Sequence, residues 1–305
     1  MVKLIPVQYD KITYPNGVHC EIKEESAPLS IPHLKRFAPK YSLHTDPSAS
    51  RRVPIDSEFL KEFPTLRKRC VEGIPQLWFN KQWAEEFADF IKKVVDKNRP
   101  PAIIEIHPPY KDYCNSMQHF LENYRVFEER ILSFYPKTEI LVENRYGTKY
   151  TRSPFLISSY RDVVDFVSQL EKTTPKLKLG LVLDFPQLLA ESRMLRPKND
   201  KTKEMLPEMF TSLKSCKSRI RSVHLWGPRK IKDDGNFMGV HKEDLNGLFQ
   251  WHEGMKKVFL EELNELLRDI PSCYFVPEVG ARTKEETDTK VNAIVNDLVS
   301  SGFVF

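Results

Sequence analysis

The sequence lacks the features that mark membrane proteins, secreted proteins and proteins built around cysteine chemistry. No apolar stretch approaches the ~20 residues that a membrane-spanning helix needs. The opening stretch, MVKLIPVQYD, lacks the basic-then-apolar pattern of a signal peptide, so we expect no secretory leader. The five cysteines are scattered and form no CxxC pair, which argues against a structural zinc site or a redox pair. Cysteine usage therefore predicts a reducing, cytoplasmic location.

Internal repeats, low-complexity tracts and linker-like stretches are also missing, so we expect residues 1–305 to form a single domain. The stretch ENRYGTKY, residues 143–150, has too few glycines and no suitably placed lysine to be a phosphate-binding loop. Hydrophobic residues make up 40% of the chain and charged residues 29%, which is ordinary for a globular protein. The net charge of +5 mildly favours anionic partners.

Short apolar runs that alternate with amphipathic stretches are the main pattern present. Eight runs predict strands, at residues 3–9, 18–22, 41–44, 102–107, 139–144, 179–184, 220–226 and 273–278. The stretches between the later runs repeat apolar residues at three- and four-residue intervals, as helices that cover a sheet do. Alternating strands and helices favour parallel βαβ units, and eight strands predict an α/β fold, a (β/α)8 TIM barrel. The stretch from 45 to 101 is then a long insertion after the third strand.

The ends of the predicted strands carry side chains that can bind a cation. From the third strand to the eighth, these residues are His44, His107, Glu143, Asp184, His224 and Glu278. Each alone has a structural explanation, since a terminal Asp can cap the next helix and a His can be hydrogen-bonded in the core. In a barrel, however, the C-terminal ends of the strands meet at one mouth, where three carboxylates would repel one another without a cation between them. Imidazole and carboxylate together suit ions such as Zn²⁺ and Mn²⁺. We therefore predict a site for one or two divalent metal ions, Zn, Mn or Fe.

An ordered set of short motifs resembles a known superfamily. The motifs are SLH at 42–44, EIH at 105–107, LVEN at 141–144, LVLD at 181–184, VHL at 223–225 and PE at 277–278. In this order they resemble the xylose isomerase-like barrels, a superfamily that includes endonuclease IV and many sugar isomerases and epimerases. The resemblance covers essentially the whole chain through the order of the strands. It implies that one metal is held by Glu143, Asp184, His224 and Glu278. In endonuclease-type members, His residues at the places of His44 and His107 join a bridging Glu, here Glu143, around a second metal.

The sequence departs from the endonuclease pattern after the sixth and seventh strands. Gln187 stands where that pattern has a His three residues after the Asp. Gly239-Val240-His241 stands where it has Asp-x-His, and Trp226-Gly227 replaces the Asn-Asp that follows the seventh-strand His. A third metal site would therefore keep only His241 of its ligands.

One functional hypothesis is a divalent-metal-dependent, endonuclease-like phosphodiesterase that acts on nucleic acid. Two metals about 4 Å apart would activate a water and stabilise the attacking and leaving oxygens. Glu143 would bridge them, and Asp184 or Glu278 would orient the water. Loops after three strands carry basic residues, which are Arg145, Lys149, Arg152, Arg196, Lys198, Lys201, Lys203, Arg229, Lys230 and Lys232. Such residues are often solvated and have no binding role. On the face of the barrel that carries the predicted metal ligands, however, they can contact a nucleic-acid backbone.

The aromatic residues among these basic loops are Tyr146, Tyr150 and Trp226, which can stack on a base. We therefore predict a set of substrate-binding residues that comprises Arg145, Tyr146, Gln187, Trp226, Arg229 and Lys230.

The alternative hypothesis is a metal-dependent isomerase or epimerase of a sugar or sugar phosphate. One metal would polarise the carbonyl, Glu143 and Glu278 would exchange the proton, and Arg229 would hold a hydroxyl or phosphate. This chemistry needs one metal and leaves His44 and His107 without an essential duty. A diiron oxidase also fits two His and a bridging Glu, although nothing selects iron over zinc. A further hypothesis is a barrel that binds a ligand or protein partner without catalysis. None of these hypotheses involves a membrane.

Overall fold

The computed structural model describes residues 1–26, 38–45, 61–66, 76–95, 98–146, 154–173, 175–197, 201–231, 237–238 and 240–305. These residues divide into two compact units. Unit 1 comprises the described residues of Met1–Lys23, Ser159–Val164 and Leu181–Phe305. Unit 2 comprises those of Glu24–Ser158 and Asp165–Gly180. Each unit is described separately below.

The secondary structure alternates between strands and helices, as the sequence predicts. The strands are β1 (Val2–Gln8), β2 (Ile22–Ser26), β3 (Tyr41–His44), β4 (Ile103–Ile106), β5 (Glu139–Glu143), β6 (Gly180–Asp184), β7 (Ile220–Leu225), β8 (Lys230–Ile231), β9 (Phe237–Met238), β10 (Cys273–Pro277) and β11 (Phe303–Val304). The helices are α1 (Lys81–Val94), α2 (Met117–Phe134), α3 (Tyr160–Glu171), α4 (Phe185–Glu191), α5 (Thr202–Leu213), α6 (Leu245–Leu248), α7 (Met255–Leu267) and α8 (Lys284–Ser300). A 3₁₀ helix, Lys214–Arg219, follows α5.

In unit 1, the parallel strands β6, β7 and β10 align the residues at their C-terminal ends. Asp184 lies opposite His224 in the pairing of β6 with β7, and His224 lies opposite Val276 in the pairing of β7 with β10. Every residue of β6 is buried, as expected of a parallel strand that helices cover. The register therefore places Asp184, His224 and the chain just before Glu278 at one level of the sheet.

Side chains cap the N-terminus of helix α8 in unit 1. The side chain of Thr283, the N-cap residue, accepts a hydrogen bond from the backbone N–H of Glu286, and a Glu286 carboxylate oxygen accepts one from the backbone N–H of Arg282. These two hydrogen bonds fix where the helix starts, shortly after the end of β10. The connection that carries Glu278 is therefore short.

In unit 2, β3, β4 and β5 are parallel neighbours, with His44 opposite Glu105 in the pairing of β3 with β4. Helix α1 is capped by Asn80, whose side chain accepts from the backbone N–H of Trp83. An aromatic core formed by Trp78, Trp83, Phe87, Phe120 and Phe127 fills the space around α1 and α2. The indole of Trp78 donates a hydrogen bond of 2.7 Å to the carbonyl oxygen of His107. The aromatic core thereby anchors the chain at the end of β4.

Eight parallel strands, β1 to β7 and β10, with helices between the later ones, confirm the predicted (β/α)8 barrel fold. The insertion predicted after the third strand lies largely outside the described residues, which between β3 and α1 include 61–66 and 76–80. The prediction of a single domain stays a prediction. In the described ranges, no helix is both long enough and apolar enough to cross a membrane.

The second strand differs from its predicted position. The prediction of a strand at 18–22 was wrong, because β2 runs from Ile22 to Ser26 and residues 18–21 precede it. The strand reads IKEES, in which Ile22 and Glu24 are buried and the residues between and after them are not. A buried carboxylate in a polar stretch gives no apolar run, so a search for apolar runs selects the neighbouring VHCEI instead.

Candidate metal centre

The C-terminal ends of three neighbouring strands in unit 2 bring together two imidazoles and a carboxylate. His44 ends β3, His107 directly follows β4 and Glu143 ends β5. One potential ligand atom from each of the three lies within 4.8 Å of the others. Nε2 of His107 is 2.8 Å from Oε2 of Glu143, and Nε2 of His44 is 3.7 Å from the same oxygen. We call His44, His107 and Glu143 the unit 2 cluster.

The second nitrogen of each imidazole in this cluster has an acceptor beside it. Nδ1 of His107 lies 3.0 Å from the backbone carbonyl oxygen of Thr45, and Nδ1 of His44 lies 3.2 Å from Oε1 of Glu24. A carbonyl oxygen and an ionised carboxylate can only accept, so the ring nitrogens that face them carry the proton. A ring that is neutral with its proton on Nδ1 would present the lone pair of Nε2 to the cluster, as a metal-binding histidine does. Nε2 of His107 also lies within hydrogen-bonding distance of the Glu143 carboxylate, at 2.8 Å.

Two further buried carboxylates surround His44. Glu24 and Glu105 are both buried, and Oε1 of Glu105 is 3.4 Å from Nε2 of His44. Neither residue was predicted from the sequence as part of the site. Glu105 stands inside the apolar run AIIEIH, where a charged residue is itself a signal, whereas Glu24 stands in a polar stretch. The guanidinium of Arg145 approaches Glu143 from its other side, with Nη1 3.7 Å from Oε1.

The surroundings of the unit 2 cluster shift the pKa values of its two imidazoles in opposite directions. Burial alone would lower the pKa of His44, but the carboxylates of Glu105 and Glu24 outweigh it and raise that pKa well above its ordinary value. Burial dominates at His107, whose pKa is lowered even though Glu143 acts against it. Burial would also raise the pKa of Glu143, but its interaction with His107, its hydrogen bond with His44 and the charge of Arg145 hold that pKa well below its ordinary value. The surroundings thus favour a positive charge at His44 and a negative charge at Glu143.

A second cluster of ligand atoms lies in unit 1 and consists of Asp184, His224 and Glu278, which we call the unit 1 cluster. One oxygen or nitrogen atom from each lies within 4.8 Å of the others, and all three residues are buried. Nδ1 of His224 is 3.3 Å from Oε1 of Glu278. Asp184 ends β6 and Glu278 directly follows β10, while His224 is the last residue but one of β7.

Gln187 and Trp226 hold Asp184 in place. Asp184 is the N-cap of α4 and accepts from the backbone N–H of Gln187, so the structural role that a terminal Asp can have is present. Its other oxygen accepts from the side-chain amide of Gln187 at 2.6 Å and from the indole N–H of Trp226 at 3.1 Å. Trp226 is only 1% exposed. The contact with substrate that the sequence predicts for Gln187 and Trp226 stays a prediction, whereas their hydrogen bonds to Asp184 are observed.

His241 lies next to the unit 1 cluster. Its Nε2 is 3.5 Å from Oε2 of Glu278, and its Nδ1 is 3.4 Å from the hydroxyl oxygen of Tyr9. The backbone of His241 has a φ of 55°, and its carbonyl oxygen accepts from the N–H of Gly280. The structure therefore places His241 beside Glu278 and Tyr9. Tyr9 was not predicted from the sequence, and the role of His241 in a third metal site stays a prediction.

The predicted substrate-binding residues after β5 and β7 differ in how far they are exposed. Arg145 and Tyr146 are half-buried just after β5, while Arg229 and Lys230 are exposed after β7. Nε of Arg229 lies 3.7 Å from a carboxylate oxygen of Glu243. Lys149, Tyr150, Arg152, Lys198 and Lys232 lie outside the described residues. Binding of nucleic acid or of a phosphorylated sugar stays a prediction.

The donors of both clusters fit a divalent cation. Two imidazoles with one carboxylate, and one imidazole with two carboxylates, are nitrogen and oxygen sets that suit Zn²⁺, Mn²⁺ and Fe²⁺. The oriented Nδ1 atoms of His44 and His107 supply the outer hydrogen bonds that metal ligands need. The fold and the two clusters thus define a (β/α)8 barrel protein with two candidate sites for a cation.

No protein-family model matches the chain. A curated relative, the serine/threonine-protein kinase pakB of Dictyostelium discoideum, is 43% identical over 61 residues, so the match spans 18% of this chain and 7% of that kinase.

Three solved structures are similar to the chain at 11% sequence identity. The AsfvAP:AG crystal structure has a TM-score of 0.49, with 85% of each chain covered. A xylose isomerase domain protein from Planctomyces limnophilus has a TM-score of 0.49, with 98% of this chain and 96% of that chain covered. The IolI protein with a zinc atom has a TM-score of 0.40, with 72% and 66% covered. The structural neighbours thus include xylose isomerase-like TIM barrel proteins, while the function has to be argued from the two clusters themselves.

Proposed function

We propose that this protein is a divalent-metal-dependent phosphodiesterase that acts on nucleic acid, with one cation in the unit 2 cluster and one in the unit 1 cluster. The observation that carries the proposal is the convergence of His44, His107 and Glu143, with the Nε2 atoms of both rings turned toward Glu143. Isomerisation of a sugar needs one metal and gives these histidines no essential duty. A second set of three ligands is what a two-metal phosphodiesterase uses.

The residues divide into those that bind cations and those that act on the substrate. When bound, divalent cations polarise the phosphoryl oxygens and activate the water that attacks phosphorus. Asp184 or Glu278 would orient this water, and Glu278 would take up its proton as the new bond to phosphorus forms and the bond from phosphorus to the leaving oxygen breaks. Gln187 and Trp226 fix the carboxylate of Asp184, so its orientation would be set before the substrate binds.

Cationic side chains after β5 and β7 would hold the nucleic-acid backbone. Arg145 is partly exposed, with 27% of its side chain accessible, and Arg229 and Lys230 are exposed. Each contact between such a side chain and a phosphate releases counterions, so the affinity falls as salt rises, with a slope of roughly 0.7–0.9 per phosphate on logarithmic axes. The affinity of the protein for oligonucleotides is therefore expected to depend steeply on salt.

Cleavage of labelled single-stranded and duplex DNA and RNA, by protein loaded with Zn²⁺, Mn²⁺ or Fe²⁺, tests the proposal. Bis(p-nitrophenyl) phosphate serves as a small phosphodiester probe that does not depend on the basic loops. We expect metal-dependent cleavage that falls roughly 100-fold or more in the His44→Ala, His107→Ala double variant. The matched control is His19→Ala, which removes an exposed imidazole that pairs with Glu21.

Two results would overturn the proposal. One is the absence of cleavage of every phosphodiester with every metal. The other is incorporation of solvent deuterium into an aldose, a ketose or one of their phosphates, which would establish the isomerase instead.

A further inference from the structure

We propose that Glu24 is a positioning residue that aims His44 at a bound cation. The inference rests on the proposed function in one respect only, which is that His44 is taken to be a cation ligand. The carboxylate of Glu24 holds the Nδ1–H of the imidazole, so that Nε2 presents its lone pair to Glu143 and His107. Neither apolar periodicity nor the strand-end pattern selects Glu24.

The geometry places a single imidazole between Glu24 and the unit 2 cluster. Oε1 of Glu24 is 3.2 Å from Nδ1 of His44. On the opposite side of the ring, Nε2 is 3.4 Å from Nε2 of His107 and 3.7 Å from Oε2 of Glu143. Glu24 occupies an inward position of β2, with 6% of its side chain exposed, so little water competes for this contact.

The two imidazoles of the cluster are oriented by different means. The acceptor for His107 is the backbone carbonyl of Thr45, which belongs to the chain just after β3 and is present whatever the side chain. The acceptor for His44 is a side chain, so the orientation of this ring depends on the identity of one residue. An ionised carboxylate behind an imidazole also increases its basicity as a ligand, which a neutral carbonyl does less strongly.

Glu105 makes the contribution of Glu24 necessary. Its Oε1 is 3.4 Å from Nε2 of His44, and a carboxylate there attracts the ring proton to Nε2. A neutral His44 with its proton on Nε2 would have its lone pair on Nδ1, directed away from Glu143. Glu24 holds a proton at Nδ1, so that a cation displaces the proton on Nε2 and meets the lone pair of that atom.

A structural role for Glu24 leads to a different expectation. If the residue did no more than fill space in the interior, leucine of similar volume would serve as well or better, because burying a carboxylate is costly. Glu24→Leu and Glu24→Gln therefore separate the two roles. Leucine removes the acceptor, while glutamine keeps an acceptor oxygen and loses the charge.

The first experiment measures the affinity of the full-length chain for Zn²⁺ and Co²⁺ by competition with a chelator. We expect Glu24→Leu to weaken one of the two sites roughly 10–100-fold and to leave the other unchanged, with Glu24→Gln intermediate. The matched control is Glu21→Gln, since Glu21 also pairs with a histidine, His19 at 3.3 Å, but on the exposed surface. Glu24→Leu with the affinity of the wild type at both sites would overturn the inference.

A second readout does not require a metal. The ring N–H protons of His44, assigned by their loss in His44→Ala, are observed by ¹⁵N-resolved NMR of the metal-free protein. We expect the Nδ1 proton of His44 to be hydrogen-bonded in the wild type and in Glu21→Gln, and to lose that signature in Glu24→Leu. An unchanged Nδ1 signal would overturn the inference. Should the wild type bind no metal, the proposed function and this inference both fail; should it bind metal and Glu24→Leu keep the affinity of the wild type at both sites, only this inference fails. If Glu24→Leu does not fold, Glu24→Gln gives the same comparison through a reduced shift.

Discussion

The Nε2 atoms of His44 and His107 lie 3.4 Å apart, with the two rings stacked at a centroid distance of 5.0 Å. Glu24 and Thr45 hold the opposite nitrogens, so in their neutral forms both rings direct a lone pair into the same small space. Two lone pairs at this distance repel unless a proton or a cation lies between them. The pKa of His44 is raised and that of His107 is lowered, so in the metal-free protein the positive charge of this pair is favoured on His44, where the carboxylates of Glu105 and Glu24 stabilise it.

The affinity of the unit 2 cluster for Zn²⁺ should therefore increase with pH. Since the pKa of His44 is raised, a proton occupies this ring near neutral pH and must leave when a cation binds. Below the pKa of His44 the affinity falls by up to about tenfold per pH unit, and above that pKa it levels off. Zn²⁺ isotherms between about pH 6 and pH 8, in buffers of different ionisation enthalpy, measure both the affinity and the proton release. A Zn²⁺ affinity that does not change across this pH range would contradict the displacement of a proton from His44 by the cation.

The hydrogen bond from Trp226 to Asp184 should contribute measurably to stability. Trp226→Phe removes an N–H donor to a buried carboxylate, for which a loss of about 1.5–3 kcal/mol in the free energy of unfolding is expected. Trp83→Phe is the matched control, because this equally buried indole makes no hydrogen bond from Nε1 within the part of the chain that the structure describes. Urea unfolding of both variants measures the difference. Equal losses in the two variants would show that the indole N–H does not support Asp184.

The loop that carries His241 should depend on Gly227. The backbone of Gly227 forms a β-bridge with Glu243, and a Cβ added to Gly227 would lie 2.2 Å from the carbonyl oxygen of Asp244. Gly227→Ala is therefore expected to displace this loop and to cost about 1–3 kcal/mol of stability. Gly280→Ala is the control, since its nearest contact would be the carbonyl oxygen of His241 at 3.8 Å, an ordinary distance. Thermal unfolding of both variants measures the difference. Equal stability would show that the β-bridge between Gly227 and Glu243 accommodates the added methyl group without a loss of stability.

The strand-end donors could be predicted from the sequence because each follows a run of apolar residues. In LVLD, for example, Leu and Val mark a buried strand and Asp184 marks its end, and the structure has β6 ending at Asp184. The same reasoning located His44 and Glu143 at the ends of β3 and β5. One strand for each apolar run is enough to predict the fold class, and the residue at the end of each run is enough to predict the position of the donor.

The residues that orient these donors could not be predicted in the same way. Glu24 lies in a strand with two charged neighbours, Lys23 and Glu25, so its inward position is visible only once the register is known. The acceptor for His107 is the backbone of Thr45, which no side-chain pattern encodes. Tyr9 follows β1 and contacts His241, a residue more than two hundred positions later, through tertiary structure alone.

The most direct test of the account is the metal content of the purified protein, after incubation with Zn²⁺, Mn²⁺ or Fe²⁺ and removal of excess ion. The wild type, the His44→Ala, His107→Ala double variant and the His19→Ala control are compared by elemental analysis. The account predicts about two ions per chain in the wild type and in the control, and about one in the double variant, because the unit 1 cluster keeps its ligands. A wild type with no ion would contradict the account, and so would a double variant that keeps the metal content of the wild type.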